Sequence, residues 1–237
     1  MITALTQNTD SKYYELRIYY CHPNRLGALI ERFTNHTTKL FEKHGMENIG
    51  YWLPVRNDSL NALYYILAYP DKAARETSWK NFVSDPVWKT VQSKSEESGK
   101  IVARVESIFL QATDYSPLII PVDAGKERVF ELRTYFCMPG KLSNVNARFK
   151  DFTMASFQKY GMTNIGYWNT VEKADSIQPK LVYILAHNSE DAAKASFDNF
   201  RADPERKKFF DASEANGKIV DRIQSVFLRP LSFSKIK

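Results

Sequence analysis

Apolar and polar residues alternate between Tyr14 and Tyr19, near the start of the chain. This two-residue period, in a segment rich in aromatic and β-branched residues, predicts a half-buried strand. Beyond Pro23 the apolar residues are three, four or seven positions apart, which predicts a helix with one buried stripe. The stripe consists of Leu26, Leu29, Ile30, Phe33, Leu40 and Phe41. Gly45 is the kind of residue that ends such a helix.

Two more strands, a second helical region and a fourth strand complete the pattern. Residues 49–53 and 64–69 are predicted strands, separated by a polar loop. Asp71 is the expected N-cap of the second helical region, which breaks near Asp85 and Pro86. The fourth strand is predicted at 101–110. The order β-α-β-β-α-β is the ferredoxin-like unit, in which two helices cover one face of a four-stranded antiparallel sheet.

The whole pattern occurs twice. The segment 45–52, Gly-Met-Glu-Asn-Ile-Gly-Tyr-Trp, returns at 161–168 with seven of its eight residues unchanged. Residues up to Trp52 match residues 116 positions later, and residues from Tyr65 onward match residues 118 positions later. This change of offset indicates an insertion in the polar loop between Val55 and Tyr65. We therefore predict an α+β fold of two tandem ferredoxin-like domains, at 13–114 and 128–233. Because each sheet has an uncovered apolar face, we expect the two domains to form an intrachain dimeric α/β-barrel.

The motifs of each copy resemble those of the NIPSNAP family. In the first copy they are Glu15-Leu16-Arg17-Ile18-Tyr19, Arg32-Phe33, His36, Lys43-His44-Gly45-Met46, Ile49-Gly50-Tyr51-Trp52, Arg75, Trp79, Phe82 and Asp85-Pro86. The resemblance covers nearly the whole chain and implies the dimeric α/β-barrel superfamily, which also contains cofactor-free monooxygenases, haem-degrading enzymes and chlorite dismutases. It implies no single reaction, and the eukaryotic family members are associated with mitochondria and with protein partners.

Composition narrows the function classes. The chain has 237 residues and a formal charge of +6, but its Lys and Arg residues are scattered among 27 acids, so we expect no nucleic-acid binding. Apolar runs are far shorter than the roughly 20 residues of a membrane span, and the first residues lack an export signal, so we expect a soluble, cytoplasmic protein.

Cys21 and Cys137 occupy equivalent positions and are either small apolar fillers or, if the strand ends meet within about 6 Å, a disulfide. Phosphate-binding glycine loops and a Gly-x-Ser-x-Gly elbow are absent from the sequence.

The two copies differ at positions that point to a site in the first domain. His36 corresponds to Phe152, His44 to Tyr160, Arg75 to Ala193 and Trp79 to Phe197. Large apolar residues in the second copy indicate that these positions face inward, and inward ionisable groups predict a lined pocket between helices and sheet. We predict catalytic roles for His36 and Arg75. The predicted ligand-binding residues are His44, Tyr51, Trp79 and Tyr19.

Structural interpretations compete with these roles. His44 lies beside the helix C-terminus, where the helix dipole alone stabilises an imidazole. Arg75 could simply pair with an acid such as Glu15. Because alternate strand residues face opposite sides, either Tyr51 or Trp52 enters the pocket, but not both.

The predicted ligand is a small organic molecule, with three functional classes open. The first is a cofactor-independent oxygenase or isomerase, in which His36 is the general base and Arg75 stabilises negative charge. The second is a non-catalytic binding or scaffold protein. The third is a haem-binding protein with His36 or His44 as axial ligand. A divalent metal site is the weakest reading, since no carboxylate lies at ligand spacing from the two histidines, and pairing of the fused chain into a homodimer is open.

Overall fold

The computed structural model describes residues 10–56, 61–125, 127–171 and 178–237. The first repeat contains β1 (Tyr13–Cys21), α1 (Leu26–Arg32), a π-helical segment π1 (Phe33–Thr37), α2 (Thr38–Lys43), β2 (Glu47–Pro54), β3 (Ala62–Tyr69), α3 (Lys72–Ser84), α4 (Pro86–Ser95) and β4 (Val102–Ala112). The second repeat contains β5 (Val129–Cys137), α5 (Leu142–Arg148), π2 (Phe149–Thr153), α6 (Met154–Lys159), β6 (Thr163–Thr170), β7 (Lys180–His187), α7 (Glu190–Ala202), α8 (Pro204–Ser213) and β8 (Val220–Pro230).

The predicted β-α-β-β-α-β order is confirmed in both repeats, and with it the α+β, dimeric α/β-barrel class of fold. Asp71 caps α3 through its side chain, which accepts a hydrogen bond from the backbone of Ala74. Asp85 ends α3 and caps α4, because a proline at the next position cannot continue the helix ladder. The predicted insertion loop lies partly outside the described residues. Within those residues, no helix has the length and apolarity that a bilayer span requires.

The chain forms two compact units. The first unit consists of Ser11–Leu110, Ile120–Ala124 and Arg229–Lys237. The second unit includes Gln111–Ile119 and Gly125–Leu228. Each repeat is thus completed by a segment from elsewhere in the chain.

These added segments bind the same strand position in each unit. In the first unit, the backbone of Tyr51 accepts a hydrogen bond from Leu231 N at 2.9 Å. The amide of Tyr51 donates to Ser234 Oγ, also at 2.9 Å. In the second unit, Thr113 and Ser116 make the equivalent two bonds with Tyr167, each at 3.0 Å. The added segments therefore satisfy backbone groups that β2 and β6 would otherwise leave unpaired there.

A β-bulge shapes the second strand of each repeat. The antiparallel register of β2 with β3 shifts between Asn48 and Gly50, and β6 repeats the shift between Asn164 and Gly166. The ring of Trp52 lies directly over Gly50, so a Cβ atom at that position would overlap it. The glycine is needed because the buried indole takes the space of a side chain.

Both cysteines are buried free thiols, as expected of small apolar fillers. Burial raises the pKa of each thiol to about 11. Neither cysteine is a reactive thiolate near neutral pH.

Candidate functional site

A buried ion pair follows directly from the Glu-Leu-Arg motif of β1. Glu15 and Arg17 are two residues apart, so the alternation of the strand places both side chains on the same face. Arg17 Nη1 donates to Glu15 Oε1 at 2.5 Å, and the Glu15 side chain is fully buried. Arg17 also donates to Tyr65 and Tyr19. These additional hydrogen bonds offset the cost of removing the two charges from water.

Helix α3 adds further donors to Glu15. Arg75 binds the carboxylate with two nitrogens, Nε to Oε2 at 3.0 Å and Nη2 to Oε1 at 2.9 Å. Trp79 Nε1 and Tyr69 OH each donate to Oε2 at 3.2 Å. Burial alone would raise the pKa of Glu15, but the bonds from Arg75 and Arg17 bring it below its ordinary value. Glu15 is therefore a carboxylate at neutral pH.

The second unit builds the same pair with different partners. Glu131 is bound by Arg133, by Ser225 Oγ and by His187 Nε2, the last at 3.2 Å. His187 stands where the first repeat has Tyr69. The buried carboxylate is thus hydrogen-bonded by Arg75 and Trp79 in the first unit, and by His187 and Ser225 in the second. The structure brings both residues to Glu15, as the structural interpretation of Arg75 anticipated.

The position of His36 is set by π1. In this segment the hydrogen bonds span five residues, which adds a residue to the turn. His36, three residues after Phe33, therefore does not lie on the same helix face as Phe33. Thr37 is the residue that is buried on that face. His36 is exposed to solvent, and its counterpart Phe152 is only half-buried, stacked on Phe209. The prediction that His36 faces inward is wrong, because it assumes a regular α-helical period where the chain forms a π-helical turn.

His44 is held by the helix cap of α4. Its Nε2 lies 2.7 Å from Asp85 Oδ2, and Lys43 Nζ lies 2.6 Å from the same oxygen. Lys43 and His44 together hold the pKa of Asp85 below its usual range. The second repeat makes the same contact with Tyr160 and Asp203 at 2.7 Å. His44 therefore ties α2 to α4, a structural task that a tyrosine performs equally well.

Tyr51 belongs to the core of the first unit. It is 1% exposed, its ring stacks on Tyr65 at 5.4 Å, and its hydroxyl donates to Asn48. Trp52, on the opposite face of β2, is equally buried. Neither residue lines the cavity described next.

The first unit contains a cavity of about 350 Å³ between its helices and β4. Its lining comes from β1, α1, π1, α2, α3, α4 and β4 and the turn before β4. The aromatic walls are Tyr19, Phe33, Phe41, Phe82 and Trp88. The polar lining residues are Arg32, Thr37, Gln92, Glu96, Lys100 and Arg104. Of the six residues predicted for the site, Tyr19 alone lines this cavity; the other predicted roles stay predictions.

Arg32 is the buried charge of the cavity. Its side chain is 4% exposed, and Nη1 donates to Ser95 Oγ at 3.1 Å and Glu96 Oε1 at 3.2 Å. Its guanidinium also lies over the Trp88 ring at 5.2 Å. Arg32 Nε is buried without a hydrogen-bond partner. Among the described residues, the equivalent Arg148 Nε of the second unit is also buried without a partner, so this atom does not distinguish the two units.

The second unit carries an aromatic side chain where the first unit carries Gln92. With the offset of 118, Gln92 corresponds to Phe210 and Trp88 to Arg206. Phe210 packs on the core of the second unit, with the guanidinium carbons of Arg148 and Arg206 4.2 and 4.1 Å from its ring centroid. Gln92 is exposed on the rim of the cavity in the first unit. The Trp88 ring lies on Arg32, and the shorter, polar Gln92 leaves the rim of the cavity beside it open.

The sequence holds a signal for these residues in the differences between its two copies. At the offset of 118, positions 88 and 92 also differ between the copies. The first copy has Trp88 and Gln92 there, and neither side chain suggests a catalytic role by itself. Neither His36 nor His44 lines the cavity, so neither could serve as the axial ligand of a haem held there. The arrangement can surround an apolar body with aromatic rings and meet a polar end with cationic side chains.

Comparison with known proteins agrees with this architecture. The family model for NIPSNAP matches residues 14–117 and 130–235. Protein NipSnap homolog 3B of Mus musculus is 25% identical over 98% of this chain and 88% of its own length. Protein NipSnap homolog 3A of Homo sapiens is 26% identical over 96% and 87%. An anthrone oxidase-like protein of solved structure shares 12% identity at a TM-score of 0.61, covering 98% of this chain and 96% of that chain, which shows the fold alone. The chain belongs to the NIPSNAP family.

Proposed function

We propose that the first unit binds a small organic molecule with an aromatic body in the cavity beside Arg32 and Trp88. The observation that carries the proposal is the difference at one equivalent position, Gln92 against Phe210. The two repeats share most of the surrounding side chains, but the second unit packs a phenyl ring where the first leaves room. An aromatic ligand would take the place that Phe210 fills by itself.

The size and lining of the cavity support this proposal. Its volume of about 350 Å³ lies in the range of sites for small organic ligands. Five aromatic side chains line it, and aromatic rings favour offset or edge contacts with another ring. A few polar groups at one side would fix the orientation of the ligand.

The proposal is binding rather than turnover. The titratable groups that line the cavity are Tyr19, Arg32, Glu96, Lys100 and Arg104. The imidazole proposed as general base from the sequence lies on the outer surface of π1. An oxygenase or isomerase reaction would therefore need a base other than His36.

The test replaces Gln92 with the residue of the second repeat. Aromatic fragments are screened against the native chain by ligand-observed NMR, and the binders are titrated against Gln92→Phe and Gln92→Ala. We expect Gln92→Phe to weaken binding by at least about tenfold, a loss of roughly 1.4 kcal/mol, because the phenyl ring occupies the ligand space. Gln92→Ala is the matched control, since it keeps the rim open and should retain binding.

Two results would overturn the proposal. One is a set of binders whose affinity is the same in the native chain and in Gln92→Phe. The other is the absence of any binder to the native chain at millimolar concentration, which would leave a scaffold role for both units.

A further inference from the structure

The charges around the cavity are unbalanced, and this bears on the ligand that the proposed function requires. Three cationic residues line the cavity, Arg32, Lys100 and Arg104, against one carboxylate, Glu96. Arg32 and Glu96 are 3.2 Å apart and neutralise each other. Arg104 also has a carboxylate partner in Glu106, so the uncompensated positive charge at the open side is that of the exposed Lys100.

The two rim cations differ in their partners. The Arg104 guanidinium lies 3.7 Å from the centre of the Tyr20 ring and 3.4 Å from Glu106 Oε2. Lys100, among the residues that the structure describes, has no hydrogen bond or ion pair through its ammonium group. Lys100 thus keeps all three of its donors available to a ligand at the rim.

The second unit gives the equivalent lysine a hydrogen-bond partner within the protein. Lys218 corresponds to Lys100, and its ammonium group donates to the backbone oxygen of Asp221 at 2.8 Å. Asp221 corresponds to Ala103, which lines the rim of the first cavity. The Asp221 carboxylate itself accepts a hydrogen bond from Gln178 Nε2 at 3.2 Å. The first repeat therefore differs at the rim in two ways: Gln92 replaces the Phe210 ring, and the Lys100 ammonium group lacks the internal partner that Lys218 has.

We infer that the ligand of the first unit is an aromatic carboxylate, with its ring among the aromatic walls and its carboxylate at Lys100. This inference rests on the proposed function and adds the charge of the ligand. Such a molecule has a ring for the space that Gln92 leaves open at the rim and an anion for the unpaired ammonium group of Lys100. Bonds between a cation and a carboxylate are stronger than neutral ones, so the anion is preferred over its neutral isostere.

The experiment compares naphthoate with naphthamide of the same substitution pattern, which share the ring system and differ in charge. Both are titrated into the full chain by calorimetry at low salt. We expect naphthoate to bind about tenfold more tightly than naphthamide, the ratio that corresponds to one partly exposed charge-assisted hydrogen bond. The preference should decrease as salt is added, because the rim charges are exposed to solvent.

Two variants locate the charge. Lys100→Gln removes the unpaired cation, and Ala103→Asp restores the carboxylate of the second repeat. Each should weaken naphthoate binding more than naphthamide binding and so abolish most of the preference for naphthoate. Lys94→Gln is the control, because it removes the same charge from α4 at a residue that does not line the cavity.

The outcomes separate this inference from the proposed function. If both compounds bind native protein equally and Gln92→Phe abolishes both, the cavity binds an aromatic ligand but the inferred charge preference is wrong. If Lys94→Gln reduces naphthoate binding as much as Lys100→Gln does, the preference reflects the overall charge and the assignment to Lys100 is overturned. If neither compound binds, the inference and the proposed function fall together.

Discussion

Replacing Arg75 by alanine tests whether this residue is structural, because the second repeat already has alanine at the equivalent position 193. The change removes two hydrogen bonds to Glu15, at 3.0 and 2.9 Å. It also removes the guanidinium from above the Phe109 ring, 5.1 Å from its centre. Glu15 keeps Arg17, Trp79 and Tyr69 as donors, so the buried carboxylate loses part of its stabilisation but still has hydrogen-bond partners.

These contacts set the size of the effect. Removing the sole partner of a buried charge typically costs about 3–5 kcal/mol, whereas a single hydrogen bond to a charged group contributes about 1.5–3 kcal/mol. Arg75 is 21% exposed and Glu15 retains other donors, so part of the attraction is screened and part is replaced. We expect the free energy of unfolding to fall by about 2 kcal/mol, which corresponds to a drop of about 4–8 °C in Tm for a chain of this size.

The effect should depend on pH. The folded-state pKa of Glu15 lies below the ordinary value, although burial opposes the shift, because Arg75 and Arg17 stabilise the carboxylate. The stabilisation is therefore present above the unfolded pKa of about 4.3 and is lost as the pH falls through the lower folded value. The difference in stability between native chain and Arg75→Ala should be full near neutral pH and shrink in acid, once Glu15 is protonated in both.

Scanning calorimetry across this pH range measures the difference, together with titration of the aromatic binders. The control is Arg201→Ala, which breaks an exposed pair with Asp198 whose side chains are 56% and 55% exposed. It should change the free energy of unfolding by no more than about 0.5 kcal/mol. An unchanged Tm for Arg75→Ala would refute the structural role. Loss of ligand binding at full stability would return Arg75 to the candidate site.

Two further substitutions follow from the geometry. His36→Phe copies the second repeat on the outer surface of π1, so binding of aromatic fragments should stay within about twofold of native by NMR titration; a large loss would show that His36 reaches the ligand. Gly50→Ala forces a methyl group into the Trp52 ring, and we expect a loss of about 1–3 kcal/mol in the free energy of unfolding. A urea midpoint equal to the native one would contradict the packing described for β2.

Local patterns were sufficient for the elements and their order. The two-residue alternation at β1 and the helical stripe from Leu26 depend only on neighbours along the chain, so they could be read without a structure. Because the sequence pattern occurs twice, the same unit is expected twice in the chain. The pairing of Glu15 with Arg17 also follows from local geometry, since residues two apart on a strand share a face.

Tertiary structure decided where the candidate site lies. The π-helical segment turns His36 outward, and the α-helical period assumed for the sequence does not include that extra residue. The cavity walls come from helix and strand positions as distant as Tyr19 and Arg104, so their convergence depends on packing rather than on spacing. The difference between Gln92 and Phe210 points to a cavity because Phe210 packs on the core of its own unit, a contact that exists only in the folded chain. The sequence alone determined which residues share an element, whereas long-range packing decided which of them surround a common space, because side chains far apart in the chain meet only after folding.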